Sequence, residues 1–317
     1  MSTRREQLFR TASCRDGLSL SLRYLRSAVT PSRGVALFVH GATFPSALSI
    51  MHPFDGHSWA DALSTDGFDV WGFDFHGYGG SDAYPQMSEP PEEHDPLCTA
   101  EDASEQLECA VRFVLGHHGV TRISLVAHSW GTIVACRFAG CFPSLIDRLV
   151  LFGPIAQRSG SEVPHYPAWR LVSLKDQWER FTAEVPVGQS AVLSRQHFAG
   201  WGERYLDGDS ASRSRMPASV KTPSGPWFDI GRAWAGDLRY DPAQVRAPVA
   251  IIRGEWDSMC TDVDAAWLFA AFASSPIRRD IKVSRGTHLL HLEANRYALY
   301  RETANFLAGG DGPADVP

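Results

Sequence analysis

The chain has 317 residues, of which 44% are hydrophobic and 21% charged, with a formal net charge of −6 at pH 7. This length predicts one large core with room for an insertion. A net negative charge argues against nucleic acid or an anionic membrane surface as the main partner. The apolar runs are too short to span a bilayer, and the basic N-terminus lacks the apolar segment of a signal peptide, so we expect neither feature.

The six cysteines, at positions 14, 98, 109, 136, 141 and 260, are scattered and form no C-x-x-C pair. Scattered thiols are typical of a reducing compartment, so we expect a cytoplasmic protein. The histidines, cysteines and aspartates do not show the spacing of a metal site, so we expect no metal and no cofactor. A small molecule is the expected partner, and the oligomeric state stays open between monomer and homodimer.

Segments of strand and helix character alternate along most of the chain. Residues 18–27 alternate apolar and polar side chains, as a half-exposed antiparallel strand does. Further strands are predicted at 34–41, 68–77, 120–128, 146–154, 247–257 and 278–286, and helices at 58–67, 101–119, 132–138, 264–273 and 291–309. Such alternation predicts an α/β fold with a parallel, doubly wound sheet. The Gly- and Pro-rich tail, 310–317, is expected to fray.

The alternation stops between Pro154 and Asp241, where we predict no strong strand. Three segments there are predicted to be helical: "AWRLVSLKDQWERFTAEV", "SRQHFAGWGERYL" and "GPWFDIGRAWAG". We therefore predict a core made of residues 1–156 and 241–309 and an inserted helical cap, residues 157–240. Half of the chain's tryptophans lie in this insertion: Trp169, Trp178, Trp201, Trp227 and Trp234. We expect most of them to pack the cap onto the core and one or two to line a substrate pocket, which would then be mainly apolar or aromatic.

Ser129 lies in "LVAHSWGT", between a predicted strand and a predicted helix. The residues two positions away on either side, Ala127 and Gly131, are small, as a sharp turn requires. This pattern approaches the G-x-S-x-G nucleophile elbow, with Ala127 in place of the first glycine. The alternative is that Ser129 only caps the helix, because serine is a favoured N-cap residue.

A nucleophilic serine needs a base, and the base needs a group that orients it. Reacting groups gather at the carboxyl ends of parallel strands, so we searched only there. Asp257 follows the strand "VAIIRG", and His288 lies after the strand "IKVS", just before the last helix. The order Ser129, Asp257, His288 is the chain order of α/β-hydrolases.

Four other residues compete for these roles. Asp262 and Asp264 lie further into the following helix, where they would supply charge to its N-terminus. The strand that ends in "LVLFGP" has no carboxylate at its end, which leaves Asp257 as the predicted acid. His291 is predicted to lie on the last helix and His128 on the opposite side of the turn, so both are expected to be structural.

An oxyanion formed at Ser129 would need two hydrogen-bond donors. The backbone N–H of Trp130 is one, because it follows the nucleophile. The other should come from "HGATFPS", where Ala42 is the first choice and Thr43 the alternative, and His40 is expected to brace this loop. Thr43 and Phe44 are also candidate substrate-binding residues, together with the five cap tryptophans.

Five motifs occur along the chain in this order: "FVHGATFPS", "FDFHGYGGSD", "VAHSWGT", "IIRGEWD" and "GTHLLHLE". Together they resemble the successive motifs of the α/β-hydrolase superfamily, and the resemblance covers residues 15–308. The resemblance implies a mostly parallel, eight-stranded sheet. "SWG" is similar to prolyl iminopeptidases and capped carboxylesterases, although "AHSWG" departs from the GGSWG of the peptidases. Dehalogenases and epoxide hydrolases of this fold use an aspartate nucleophile, which Ser129 argues against.

The sequence favours hydrolysis of an ester or related acyl bond through an acyl-enzyme on Ser129. One alternative is removal of an N-terminal residue from a peptide, which would need a cap carboxylate for the substrate ammonium. Glu162, Asp176, Glu179 and Glu184 are candidates for that role. A lyase that uses the same triad, and a non-catalytic ligand receptor, are further alternatives.

Overall fold

The computed structural model describes residues 6–160 and 162–309. Ten strands are present in this part of the chain: β1 (Gln7–Ala12), β2 (Ser19–Leu25), β3 (Gly34–Val39), β4 (Phe68–Asp74), β5 (Ile123–His128), β6 (Ile146–Phe152), β7 (Trp169–Ser173), β8 (Ser219–Pro223), β9 (Val249–Gly254) and β10 (Arg278–Val283). Eight of them form one sheet in the order β1-β2-β4-β3-β5-β6-β9-β10, and β1 and β2 are its antiparallel strands. The predicted α/β architecture is confirmed.

Eight α-helices are described: α1 (Trp59–Thr65), α2 (Ala100–His118), α3 (Gly131–Cys141), α4 (Leu174–Thr182), α5 (Arg195–Asp207), α6 (Gly225–Trp234), α7 (Asp262–Ala271) and α8 (Arg296–Leu307). α1 and α8 pack on one face of the main sheet, and α2, α3 and α7 pack on the other. The central strands β4 and β5 are buried along their whole length because both faces are covered. None of the described helices is long and apolar enough to cross a membrane.

Residues 157–240, which we call the cap segment, are inserted between β6 and β9. They contain α4, α5 and α6, as the sequence predicted, but also an antiparallel pair, β7 and β8, where no strand was predicted. The sequence analysis assigned "WRLVS" to the start of a helix. In the structure α4 begins only after Ser173, which caps it in a capping box with Asp176.

Two other predictions are corrected at the ends of the chain. The sequence pattern did not reveal β1, an edge strand whose residues are largely exposed and therefore carry little hydrophobic signal. The last helix begins at Arg296 and not at His291, which lies in a separate 3₁₀ turn, Leu290–Leu292. All six cysteines are free.

Because β3, β5, β6, β9 and β10 run parallel, their carboxyl ends meet at one edge of the sheet. The loop with Ala42 leaves β3 there, the turn with Ser129 leaves β5, and the loops with Asp257 and His288 follow β9 and β10. The fold thus brings Ser129, Asp257 and His288, which lie 87 to 246 positions after Ala42 in the chain, to the same edge of the sheet as Ala42.

Candidate active site

Ser129 occupies a strained turn between β5 and α3. Its φ is +56°, a left-handed conformation that side-chain-bearing residues rarely adopt, and its N–H donates to the carbonyl of Phe152 at 3.0 Å. A Cβ on Gly131 would lie 2.4 Å from the carbonyl oxygen of His40, so only glycine fits there. The strained backbone at Ser129 and the requirement for glycine at position 131 are both typical of a nucleophile elbow.

The three predicted triad side chains form one hydrogen-bonded chain. His288 Nε2 lies 2.7 Å from Ser129 Oγ, and His288 Nδ1 lies 3.0 Å from each carboxylate oxygen of Asp257. All three residues are at most 4% exposed. An Nδ1–H that donates to Asp257 leaves Nε2 free to accept the serine proton, which is the arrangement that activates a hydroxyl.

The carboxylate of Asp257 is fixed by its own loop. Its Oδ1 accepts the backbone N–H groups of Met259 and Cys260, each at 2.9 Å. A Cβ on Gly153 would lie 2.8 Å from His288 Nδ1 and 2.9 Å from Asp257 Oδ2. Glycine at the end of β6 therefore leaves room for this pair, a signal that the sequence analysis missed.

The two rejected carboxylates have other partners. Asp262 is exposed and pairs with Arg253 and Lys282. Asp264 is buried, completes a capping box with Thr261 and binds Arg158 at 2.7 Å. Neither has a hydrogen bond to His288.

Three backbone N–H groups near Ser129 have no acceptor in the described part of the chain. The N–H groups of Trp130 and Ala42 make no hydrogen bond within the described residues, and neither does that of Thr43, the alternative donor. The loop is held by Tyr78, whose hydroxyl donates to the carbonyl of Ala42 at 2.7 Å. Gly41 brings it close, because a Cβ there would lie 3.2 Å from Ser129 Cβ. Unbonded buried N–H groups beside a nucleophile suit an oxyanion hole.

Three further histidines lie near the candidate triad, and two of them brace its loops through hydrogen bonds. His40 joins the carbonyl of Gly41 to the N–H of Phe75, as the sequence analysis expected. The Nε2–H of His128 donates to the carbonyl of His288 at 3.0 Å, so its side chain contacts the loop of the candidate base. Burial, followed by the charges of neighbouring imidazoles, holds the pKa values of His128 and His291 well below their usual range. Both rings are therefore neutral at pH 7.

Glu293 braces the same loop from the other side. Its carboxylate accepts the N–H of Thr287 at 3.0 Å and also the Thr287 hydroxyl. Burial raises the pKa of Glu293 to about 7, although the Thr287 hydrogen bonds oppose this shift.

The cap segment touches the candidate site through a carboxylate on each side. Glu184 accepts the N–H of His288 at 2.7 Å and the N–H of Ser258 at 2.9 Å. Asp229 accepts the indole N–H of Trp130 at 2.8 Å, and burial raises its pKa to about 7. The sequence analysis did not single out Asp229, and no local pattern marks it.

The other residues predicted to bind substrate, Phe44 and the five cap tryptophans, lie in two kinds of environment: a buried aromatic cluster and sites beneath a cationic side chain. Phe44 and Trp201 belong to one buried cluster that joins the cap segment to the core, and Trp201 Nε1 donates to the carbonyl of Leu48. Trp178 packs edge-on against Phe198 in the same cluster.

The other three tryptophans each lie under a cation. Lys221 stands over Trp169 and Arg158 over Trp234, whereas Trp227 lies beneath both Arg170 and Arg180. Arg180 also donates to Thr43 Oγ1 at 2.6 Å. Of the five predicted tryptophans, Trp227 is thus linked to the loop of Ala42 through Arg180.

This chain belongs to the α/β-hydrolase fold family, whose model matches residues 37–295. Similar solved structures include an epoxide hydrolase from Vigna radiata, with 16% identity, TM-score 0.61 and coverage of 95% of this chain and 97% of that one. An esterase from Thermogutta terrifontis has 16% identity and TM-score 0.58, covering 96% and 100%. An enol-lactonase from Burkholderia xenovorans has 14% identity and TM-score 0.59, covering 95% and 100%. No curated protein sequence matches the chain. At these identities the structures establish the shared fold.

Proposed function

We propose that this α/β-hydrolase is a serine hydrolase that cleaves an ester, or a related acyl bond, through an acyl-enzyme on Ser129. The observation that carries the proposal is the continuous chain Ser129 Oγ, His288 Nε2, His288 Nδ1 and Asp257, with contacts of 2.7 and 3.0 Å. A serine hydroxyl within 2.7 Å of an oriented imidazole can lose its proton as it attacks a carbonyl.

In the proposed reaction, Ser129 Oγ attacks the ester carbonyl while His288 takes its proton. Asp257 stabilises the imidazolium that forms, and the N–H groups of Trp130 and Ala42 bind the oxyanion. His288 then gives the proton to the leaving alkoxide as the C–O bond breaks. Water repeats the sequence on the acyl-enzyme, with His288 again as base, and releases the acid and the free serine.

The four cap carboxylates that were candidates to hold a substrate ammonium do not support removal of an N-terminal residue. Asp176 is engaged in the capping box of α4, and Glu179 pairs with Lys175 at the surface. Glu184 binds the His288 loop, and Glu162 is exposed. None of the four presents an uncommitted buried carboxylate that could hold a substrate ammonium.

The test is hydrolysis of p-nitrophenyl acetate by the wild type and by Ser129→Ala. Loss of the nucleophile should lower kcat by a factor of about 10⁴–10⁶ with an unchanged circular dichroism spectrum. A fluorophosphonate should add its mass to Ser129 of the wild type only. Activity of Ser129→Ala within tenfold of wild type would exclude the proposal, and a panel of aminoacyl-naphthylamides would separate a peptidase from an esterase.

A further inference from the structure

Two arginines of the cap segment, Arg170 on β7 and Arg180 on α4, form no ion pair with a carboxylate in the part of the chain that the structure describes. Other arginines of the segment do form such pairs: Arg213 binds Glu203 and Asp207, Arg215 binds Asp209, and Arg232 binds Asp237. Among the residues that the structure describes, Arg180 has one side-chain hydrogen bond, to the neutral hydroxyl of Thr43. Glu184 acts on Arg180, and Asp176 on Arg170, only through attraction at longer range. Since buried charges are normally paired, two cations without a directly bonded carboxylate favour the binding of an anion.

Both guanidinium groups lie over the same indole ring. The Cζ atoms of Arg170 and Arg180 are 5.0 and 5.6 Å from the centre of the Trp227 ring. The two charges repel each other: burial first, and then the charge of Arg170, lower the pKa of Arg180 to about 10. Burial likewise lowers the pKa of Arg170. An anion between them would relieve this repulsion.

The face that carries Arg170 points inward. Arg170 pairs with Thr222 across the β7–β8 ladder, and Val172 pairs with Val220 on the same face, because side chains two residues apart share a face. Both valines are buried in the cluster that joins the cap segment to the core. Leu171, on the opposite face, is 46% exposed.

Three hydrogen-bond donors in this region have no acceptor in the described part of the chain. They are Arg170 Nε, the Oγ1 of its cross-strand partner Thr222, and Nε1 of Trp227, whose ring lies beneath Arg170. All three atoms are buried, and the Thr222 residue as a whole is 1% exposed. Buried donors are nearly always bonded, and exceptions point to a water or ligand partner. Two guanidinium groups, an indole N–H and a hydroxyl form a donor-rich set that suits anionic oxygens.

This donor set lies beside the candidate active site. Arg180 binds Thr43, which directly follows Ala42, and Gly41 places the same loop against Ser129. Arg180 is therefore connected to the nucleophile by three residues of one loop, and Arg170 lies over the same indole ring as Arg180.

We propose that Arg170 and Arg180 form an anion subsite for a carboxylate or phosphate at the far end of the substrate's acyl part. This inference rests on the proposed function and extends it: the preferred ester carries a second, negatively charged group. Guanidinium groups recognise such groups through paired N–H···O bonds. The mainly aromatic pocket expected from the sequence would then have a cationic end, with Trp227 supporting the arginines.

The kinetic test compares two esters of equal length, mono-p-nitrophenyl adipate and p-nitrophenyl hexanoate. We expect the wild type to prefer the adipate ester in kcat/KM. Arg170→Met and Arg180→Met should each lower the ratio of the two kcat/KM values by about 10- to 100-fold, as for loss of a hydrogen bond to a charged group. Arg195→Met is the matched control, because Arg195 also lies over a cap tryptophan, Trp178, but is exposed. Its ratio should stay within twofold of wild type.

Arg170→Lys and Arg180→Lys keep the charge and test the subsite if the methionine variants do not fold. Lysine lacks the planar fork, so each should lower the ratio by a smaller factor than methionine. A wild type without preference for the adipate ester, or a ratio that changes equally in Arg195→Met, would overturn the proposal.

Binding without chemistry separates this inference from the proposed function. Adipate and butyl phosphate, added separately, should raise the Tm of Ser129→Ala, and the larger shift identifies carboxylate or phosphate as the better ligand. The double variant Ser129→Ala/Arg170→Met should show no increase in Tm with either anion. The double variant Ser129→Ala/Arg195→Met should show the same increase as Ser129→Ala. If Ser129→Ala kept its esterase activity, the proposed function would fail while this shift still reported on the subsite. If neither anion raised the Tm, the subsite itself would be excluded.

Discussion

Glu184 accepts a hydrogen bond from the backbone N–H of His288 at 2.7 Å, although the two residues are 104 positions apart. Its other carboxylate oxygen accepts the N–H and the hydroxyl of Ser258, which directly follows Asp257. One carboxylate of the cap segment thus joins the loops of the candidate base and the candidate acid. The cap segment therefore contacts the loops of the candidate triad as well as the loop of Ala42.

Removal of this carboxylate should lower activity by displacing the loop of His288. We expect Glu184→Ala to reduce kcat for p-nitrophenyl acetate by about tenfold, because a hydrogen bond to a charged group contributes about 1.5–3 kcal/mol. Glu184→Gln, which keeps one acceptor oxygen, should give an intermediate rate. Glu179→Ala removes an exposed carboxylate of the same segment and should match the wild type. Equal rates for all variants would show that His288 is held without Glu184.

Asp257→Asn should keep the local geometry but favour the wrong tautomer of His288. The expected loss is roughly 10⁴ in kcat, measured with p-nitrophenyl acetate. Asp262→Asn is the matched control, since Asp262 is exposed and pairs with Arg253 and Lys282. Greater damage from the control would mean that the triad acid is misplaced.

Asp264 should contribute to stability and not to catalysis, because it is buried and completes the capping box of a helix. Asp264→Asn weakens its ion pair with Arg158 and its capping box with Thr261. We expect a loss of about 1 kcal/mol in the free energy of unfolding, measured by urea denaturation, without a change in kcat. A loss of activity at unchanged stability would contradict this role.

Trp201 should act as an anchor of the cap segment and not as a selectivity residue. It is 1% exposed, stacks on Tyr205 at 5.0 Å and donates to Leu48. Trp201→Ala should lower the free energy of unfolding by about 3–5 kcal/mol. It should also lower activity on large and small esters by the same factor. Trp178→Ala, at a partly exposed position, should cost less. A folded Trp201→Ala protein with altered preference between p-nitrophenyl hexanoate and acetate would instead place Trp201 at the substrate.

Asp229 should make stability depend on pH. Its carboxyl has a pKa of about 7 in the folded protein, whereas an unfolded aspartate ionises near pH 4. The folded state therefore binds the proton more tightly than the unfolded state does. The resulting contribution of Asp229 to the free energy of unfolding is fully present below pH 4 and is lost as the pH rises to 7. Between pH 5 and pH 8, the free energy of unfolding of Asp229→Asn should therefore increase by about 2 kcal/mol relative to that of the wild type.

Urea denaturation at several pH values measures this difference directly. Asparagine keeps an acceptor oxygen for Trp130 and for the N–H of Ala100, so the local bonds can persist. Asp262→Asn should show no such trend, because its ion pairs lower the pKa of Asp262 and move its contribution to lower pH. A difference that stayed constant from pH 5 to pH 8 would show that Asp229 is ionised throughout.

Sequence patterns were reliable where the structure depends on neighbours along the chain. The alternation of apolar runs with amphipathic segments predicted the sheet and its helices, and small residues around Ser129 predicted a turn whose φ is +56°. The same patterns failed for β1, which is exposed, and for β7, whose five residues were assigned to the helix that follows them.

The order of Ser129, Asp257 and His288 at successive strand ends was determined by the sequence, because parallel strands bring their carboxyl ends to one edge. Only the tertiary structure decided what the cap segment contributes. Arg180 meets Thr43 across 137 positions, and Glu184 meets His288 across 104. Neither pair can be recognised from the local sequence, since a charged residue on a helix or in the turn after it looks the same whether its partner is solvent, a surface ion or a distant backbone N–H. Packing of the segment against the sheet selects that partner, and the electrostatics of the candidate site follow from it.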